Sequence, residues 1–485
     1  MRNKNFYSQT DYNKNPKKIR MFKRTKIIAT IGPSTKSKNS ILKLYKKGMN
    51  VVRINMSHAS HSDLLEIKKN IDLINKTVTC AIGIMVDTQG PEIRTAKNSE
   101  VLDLQKGERV VLSSNKPIGN TKTIQIDNLE YVKGIKKDGK ISLDNGAINI
   151  KIVKISKDRI LCDVLDSGQI SGKKHVNFPG ATINLPTITA KDKRDLKYAA
   201  SLGIDYIALS FCRSISDVGS LKKILKPYKK DIEIFVKVED QQGLSNLEDI
   251  VVHSDGVMVA RGDLGIETDI TNLPYTQRKM IKLATKHGKK SIVATQLLES
   301  MIQNPHPTRA EVSDVANAVY EGADALMLSA ETSIGEHPFA CVGYLNDIAL
   351  KAERSEILQF PSTTKQKSDW HILASTSVKL ADKINADAIV VLTRSGFTAN
   401  LISLAKPKLP VFALTNDSDT HSRLSVCSSV HNVYLKFQKN HEKTIKSAFK
   451  IIKDKFKMKQ FKKFVVISGF FSDVYADAIQ VRFLD

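Results

Sequence analysis

In the stretch EIFVKVED, Lys237 and Glu239 lie two positions apart. On a strand they would share one face with Phe235, while Ile234, Val236 and Val238 fill the other. A lysine kept charged there could stabilise negative charge developing on a substrate oxygen. A second acid, Asp263, stands in ARGDLGIE between Gly262 and Gly265. Those glycines permit close backbone approach, and a following helical turn would aim N–H groups at an anion. Glu239 and Asp263 together offer two hard oxygen ligands with room for water, which suits Mg2+ or Mn2+. Taken singly, each feature also has a plain structural reading: two surface acids, or a Lys–Glu surface pair contributing under about 1 kcal/mol. Thr308 and Glu311 in PHPTRAEVSDVANAV have capping-box spacing and read as a helix start.

These residues need elements to position them. Eight short apolar runs recur, most followed by a helical pattern: TKIIATIG (25–32), NVVRINMSH (50–58), AIGIMVD (81–87), YIALSF (206–211), EIFVKVE (233–239), GVMVARGD (256–263), SIVATQ (291–296) and ALMLSAE (325–331). Strands alternating with helices predict right-handed βαβ units and a parallel sheet, and eight such units close into a (β/α)8 barrel. In such barrels the active site lies at the carboxyl ends of the strands. Those ends carry Arg53, Asn55, Ser57 and His58; Asp87 and Thr88; Ser210; Lys237 and Glu239; Gly262 and Asp263; Thr295 and Gln296; Ser329 and Glu331. Collecting so many polar groups at one end is costly unless they are paired or used, which argues against eight independent structural coincidences.

The interval from Asp87 to the next helical pattern at Lys191 is far longer than the others. It holds period-two runs (ERVVLSS, TKTIQID, KISLD, AINIKIVKIS, RILCDVL) separated by Gly, Asn and Asp, which predict a small inserted β-barrel. After SEILQFPSTTKQKSD, a plausible linker, a third, α/β domain follows. The expected division is a basic tail (1–22), the barrel's first part (23–90), the β insert (91–186), the barrel's second part (187–355) and the C-terminal α/β domain (356–485). This fits the usual prior of about two to four domains for such a length.

Composition narrows the class. No apolar run approaches the roughly 18 residues of a membrane span, and the basic N-terminus has no signal-peptide core. Five scattered cysteines without CxxC spacing argue against zinc clusters and a disulfide framework and fit a reducing compartment. The net charge of +25 suits an anionic partner. Much of the excess lies in the tail and in Lys436–Lys463, read as one helix with Ile445, Ala448, Phe449, Ile452 and Phe456 on its buried face and lysines on a solvated one. No aromatic residues interleave the basic stretches, so specific single-strand nucleic-acid binding is not expected.

The stretches TIGPST, VVRINMSHA, MVDTQGPEIRT, KKHVNFPG, FVKVED, VMVARGDLGIE, ATQLLESMIQNPHPTRAEVSDVANAV and MLSAETSIGEHP resemble the pyruvate kinase family, in order from about Thr25 to Pro338. The resemblance implies a cytoplasmic homotetramer that converts phosphoenolpyruvate and ADP into pyruvate and ATP, with Mg2+ (or Mn2+) and K+ as cofactors and with no membrane partner. It implies that Glu239 and Asp263 ligate Mg2+ and that Lys237 stabilises the enolate and the transferring phosphoryl group. Gly262, Asp263 and Thr295 would hold the pyruvate carboxylate, and Arg53 a phosphate. Asn55, Ser57, Asp87 and Thr88 would hold K+; Asn55, His58, Arg94 and Lys174 would lie on the nucleotide side; Glu331 and Thr295 would serve the proton relay. The inserted domain would act as a lid that excludes water.

Some positions depart from the family pattern. Gln89 stands where many members have lysine and Ala330 where many have glycine; neither is expected to matter much. Glu92 is the residue that in this family accompanies K+ dependence. In the last domain Thr393, Ser395, Gly396 and Thr398 retain a phosphate-loop pattern able to cradle a sugar-phosphate or AMP effector. The family's glycine-rich C-terminal segment is here SGFFSDVYADAIQVRFLD, with only Gly469, which weakens the case for that control. The alternatives are a Mg2+-dependent lyase acting on phosphoenolpyruvate or an enolate, and a basic scaffold or RNA-binding protein without catalysis. The nucleotide-side residues and the lid argue against the first; the intact set Arg53, Lys237, Glu239, Asp263 and Thr295 argues against the second.

Overall fold

The computed structural model describes residues 22–97, 101–114, 121–144, 146–156, 158–355, 368–458, 462–469 and 477–483. The basic tail up to residue 21, nearly all of the linker and the stretch just after Gly469 lie outside these residues.

Eight parallel strands close into a barrel: β1 (Lys26–Thr30), β2 (Val51–Asn55), β3 (Gly83–Asp87), β4 (Tyr206–Leu209), β5 (Glu233–Lys237), β6 (Gly256–Ala260), β7 (Lys290–Ala294) and β8 (Ala325–Leu328), with β8 pairing back to β1. The strands are almost wholly apolar because both faces are covered. Ile28, Val51, Met85, Tyr206, Phe235, Met258 and Ile292 fill the axis, and Ile234, Val236 and Val238 pack outward among the helices. The strands end earlier than the sequence pattern suggests. β5 stops at Lys237 because Asp240 caps the next helix, its Oδ1 accepting from Gly243 N at 2.7 Å. β6 stops at Ala260 because the helix Arg261–Glu267 starts at once, with Arg261 held by Asp314 and by the Thr295 carbonyl. Glu239 and Asp263 therefore lie beyond the strands, Asp263 in the first turn of a helix.

The insert leaves after β3 and returns before the helix Ala190–Ser201. Its seven-stranded sheet has its own apolar core and comes back on itself where Arg94 bridges to His175. One carboxylate ties its two connecting segments together. Asp192 accepts from Gln89 N at 2.9 Å on the way out and, through a capping box, from Thr189 N at 3.0 Å on the way back.

The last domain carries a five-stranded sheet flanked by helices. The strands Val430–Tyr434, Val411–Thr415, Ala388–Leu392 and Lys463–Ser468 run parallel, and Ala478–Phe483 adds an antiparallel edge. The first and last of these have no clear apolar run; the edge strand is half exposed and mixes charge with apolar residues. The basic helix is shorter than its lysine run, His441–Lys455, because Asn440 caps it. Its buried stripe is Ile445, Ala448, Phe449 and Ile452, and Phe456 is buried just past its end. This domain stoppers the amino-terminal end of the barrel: Val426 joins the axis cluster, and Tyr206 Oη donates to the Arg423 carbonyl at 2.7 Å. Among the described residues no helix is long and apolar enough to cross a membrane.

Candidate active site

Strand alternation turns Arg53, Asp87 and Lys237 toward the axis at the carboxyl end of the barrel, where they meet. Arg53 Nε donates to Asp87 Oδ2 at 2.7 Å and Nη1 to Thr30 Oγ1 at 3.0 Å. Lys237 Nζ lies 2.9 Å from Ser210 Oγ, 3.3 Å from Asp87 Oδ1 and 3.0 Å from Glu239 Oε1. Ser210 Oγ in turn donates to the Thr88 carbonyl at 2.7 Å. Glu239 Oε2 accepts the Phe211 backbone N–H at 2.8 Å.

Charge in this pocket is set by a contest between burial and pairing. Burial alone would raise the Asp87 pKa, but Lys237 and Arg53 together outweigh it and hold the carboxyl below its ordinary value. Burial works to lower Lys237, yet Asp87 and Glu239 beside it push its pKa up, so the ammonium keeps its proton. Glu239 is pushed up to about 7 by burial, against the pull of Lys237 and with the help of the neighbouring Asp263. Asp263 is also raised, again by burial first, against the pull of Lys237. Glu239 Oε1 has an ion partner in Lys237 but, among the described residues, no hydrogen-bond donor of its own. A buried carboxylate with an unsatisfied oxygen, Glu239, beside the half-buried carboxylate of Asp263 fits a divalent cation such as Mg2+.

Beside this cluster, Gly262, Asp263, Thr295, Ser329 and Glu331 line a common cleft. Gly262 N donates to Thr295 Oγ1 at 2.9 Å. Thr295 and Gln296 are held at φ +66° and +53°, and Phe211 at +50°, a conformation that costs a non-glycine residue and that clusters at functional sites. Glu331 is buried, accepts from Ser329 N at 2.8 Å, and has its pKa raised by that burial.

The remaining expected site residues are less closely gathered. Asn55 and Asp87 are register partners on β2 and β3, with Asn55 Oδ1 accepting from Ser57 N at 3.1 Å and Thr88 Oγ1 from Ser210 N at 3.0 Å. His58 is exposed. On the lid, Arg94 is paired to Glu92 at 2.7 Å and Lys174 to Asp144 at 2.7 Å, each within the lid rather than with the barrel cluster. Thr393, Ser395, Gly396 and Thr398 lie in the C-terminal domain, after the strand Ala388–Leu392. There Gly396 N donates to Thr393 Oγ1 at 3.0 Å, and Arg423 Nη2 donates to the Ser395 carbonyl at 2.8 Å.

Sequence reading assigned no role to three groups near the carboxylates. Ser210 stood out only as a polar strand end. The Phe211 N–H is backbone and leaves no mark in the sequence. His175, buried in the lid with Nδ1 3.9 Å from Asp263 Oδ1, could be placed only by knowing how the lid lies.

A closed eight-stranded barrel with a cation–carboxylate cluster at its carboxyl end, roofed by an inserted β domain, is a (β/α)8 barrel with its charge gathered where such barrels keep their active sites. Comparison with known sequences narrows that class. Residues 22–342 match the family described as "Pyruvate kinase, barrel domain" and residues 371–481 match "Pyruvate kinase, alpha/beta domain". A pyruvate kinase of Staphylococcus epidermidis is 38% identical over 436 residues, covering 88% of this chain and 74% of the relative. Pyruvate kinases of Staphylococcus aureus strains MRSA252 and USA300 are 38% and 37% identical over the same share of each chain. The chain belongs to the pyruvate kinase family and is an enzyme with pyruvate kinase activity.

Proposed function

We propose that the chain moves a phosphoryl group from phosphoenolpyruvate to ADP at the barrel mouth, in a reaction dependent on Mg2+ and K+ and yielding pyruvate and ATP. The observation that carries this reading is the buried cluster of Arg53, Asp87, Lys237 and Glu239 facing Asp263. Phosphoryl transfer leaves a protein little covalent work, so positioning and charge stabilisation carry the rate. Arg53 binds the phosphate of phosphoenolpyruvate. Lys237, kept charged by Asp87 and Glu239, stabilises the oxygen that becomes the enolate. Gly262, Asp263 and Thr295 hold the substrate carboxylate at the start of the Arg261–Glu267 helix. Glu331 and Thr295 serve the proton relay to the enolate carbon. Glu239 and Asp263 would hold Mg2+, which when bound neutralises charge on the transferring phosphoryl. Asn55, Ser57, Asp87 and Thr88 would hold K+. Asn55, His58, Arg94 and Lys174 face ADP, two of them from the lid, so lid position decides how the nucleotide is met.

The test is ADP-dependent pyruvate formation from phosphoenolpyruvate, with each cation omitted in turn. Activity that falls to background without Mg2+ and rises with K+ supports the reading. Pyruvate or phosphate release without ADP points to a lyase or phosphatase, and full activity in K+-free buffer removes the K+ assignment. The Thr393–Thr398 loop would take a sugar phosphate or AMP in a cytoplasmic homotetramer; unchanged kinetics across a titration of both effectors, or a monomer by light scattering, would remove those parts.

A further inference from the structure

Two buried lid side chains reach across to the barrel, and both land on one short helix. Asn177, on the lid strand Val176–Asn177, donates from Nδ2 to Glu267 Oε1 at 2.8 Å. His175, two residues earlier, sets its Nδ1 3.9 Å from Asp263 Oδ1. Residues 175 and 177 share a face of their extended segment, and 263 and 267 share a face of the Arg261–Glu267 helix, one turn apart. The spacings match: two strand residues span about 6.6 Å and four helical residues about 6 Å. Strand edge and helix therefore meet as two paired contacts in register.

The Asn177–Glu267 contact is the stronger of the two. Asn177 is 3% exposed and Glu267 8%. The far end of the helix is braced in turn, its Glu267 carbonyl accepting from Gln241 Nε2 at 3.3 Å. Neither side chain has a place in the proposed chemistry, yet both are buried between lid and barrel, where losing one partner would strand the other. Among the described residues Asn177 Oδ1 is buried without a hydrogen bond, so the insert offers one acceptor more than the described barrel residues satisfy.

We propose that Asn177 and Glu267 form a latch that seats the lid on the helix carrying Gly262 and Asp263, so that Arg94 and Lys174 meet ADP at the distance transfer requires. Both are positioning residues. The proposal rests on the reading of Arg94 and Lys174 as nucleotide-side groups. It makes the latch a determinant of ADP binding and leaves phosphoenolpyruvate, which is held by barrel residues, largely unaffected.

The test is steady-state kinetics of the full chain carrying N177A, E267A, E267Q or N177A with E267A. Each alanine variant is expected to raise KM for ADP about tenfold, as for loss of one buried hydrogen bond, with KM for phosphoenolpyruvate changed less than about twofold. The double variant is expected to be no worse than either single one. E267Q keeps an acceptor for Asn177 Nδ2 and adds a donor for the unsatisfied Oδ1, so it is expected to keep the parental KM for ADP. A merely structural role would lower Tm in the alanine variants without moving KM for ADP, and that result overturns the latch. So do fully additive effects, or an E267Q as impaired as E267A. Arg94→Ala and Lys174→Ala separate this proposal from the reading beneath it. If both leave KM for ADP unchanged, the nucleotide assignment fails, and hydrogen exchange over residues 172–180 then decides. Faster exchange there in N177A and E267A upholds the latch, and unchanged exchange removes it.

Discussion

Lys237 owes its charge to its neighbours. It is largely enclosed, and Asp87 and Glu239, helped by Asp263, keep it protonated. Lys237→Met removes the cation and leaves a side chain of similar reach, so kcat is expected to fall by about 10³-fold or more with a near-parental circular dichroism spectrum. Near-normal turnover would refute its role. Lys23 shows the opposite balance. Its ammonium donates to the Gly48 carbonyl at 2.7 Å, but burial, aided by the charge on Lys26, lowers its pKa to about 7 from 10.5. Between those values the unfolded chain holds more protons than the folded one, so this group's contribution to stability rises with pH across that window and is flat on either side. Lys23→Met removes the dependence. The stability gained by the variant is expected to be largest near pH 7 and below, and to shrink toward pH 10; parallel Tm curves for parent and variant would contradict this. The residue types of the barrel-mouth cluster were readable because alternation puts Lys237 and Glu239 on one face. Their partners were not. That Lys237 meets Asp87 and Ser210 depends on β3, β4 and β5 being consecutive neighbours in the closed sheet, and the positive φ of Phe211 and Thr295 depends on tertiary restraint.

At the scale of elements, the eight barrel strands were legible as apolar runs because a strand covered on both faces has no other composition open to it. Their ends were less so, since the extended-looking tails Val238–Glu239 and Arg261–Asp263 are claimed by the caps and helices that follow. Two capping boxes make a useful contrast. The Thr308–Glu311 box starts the helix Arg309–Tyr320, as its spacing foretold. The Thr189–Asp192 box has the same spacing, but Asp192 also holds Gln89 and Gly90 from the outgoing lid segment, a bond between segments remote in sequence. Thr308→Ala is expected to cost about 1 kcal/mol in denaturant melts, with KM values unchanged. Asp192→Ala strands buried N–H groups as well and is expected to cost about 1–3 kcal/mol more. A loss in Asp192→Ala no larger than that in Thr189→Ala, which removes the same cap but leaves Asp192 its bonds to Gln89 and Gly90, would mean that those bonds contribute nothing to stability.

Across the whole molecule, barrel and C-terminal domain are fastened by bonds that neither could satisfy alone. Tyr206 Oη accepts from Val426 N at 3.2 Å while donating to Arg423 O, Ser425 Oγ donates to the Ala81 carbonyl at 2.7 Å, and Lys406 pairs with Asp324 and Arg423 with Asp231. Tyr206→Phe empties the centre of this junction. It is expected to destabilise the chain by about 1–3 kcal/mol with turnover unchanged, as measured by calorimetry beside the activity assay. A loss of activity without a loss of stability would mean that the junction signals rather than holds.

The stopper at Val426 also bears on the order in which the molecule comes into being. The last barrel strand ends at Leu328, so all eight strands are synthesised before the residue that fills the floor of their axis. At roughly 5–20 residues per second the nascent barrel waits several seconds with its amino-terminal end open and the Tyr206 hydroxyl unmatched. Ribosome-stalled chains ending between the two points are expected to be cut readily by protease, and chains that have cleared Val426 to resist. The polar mouth of the barrel is thus complete once its eighth strand has been made, while its floor is closed only by a residue translated well after that strand.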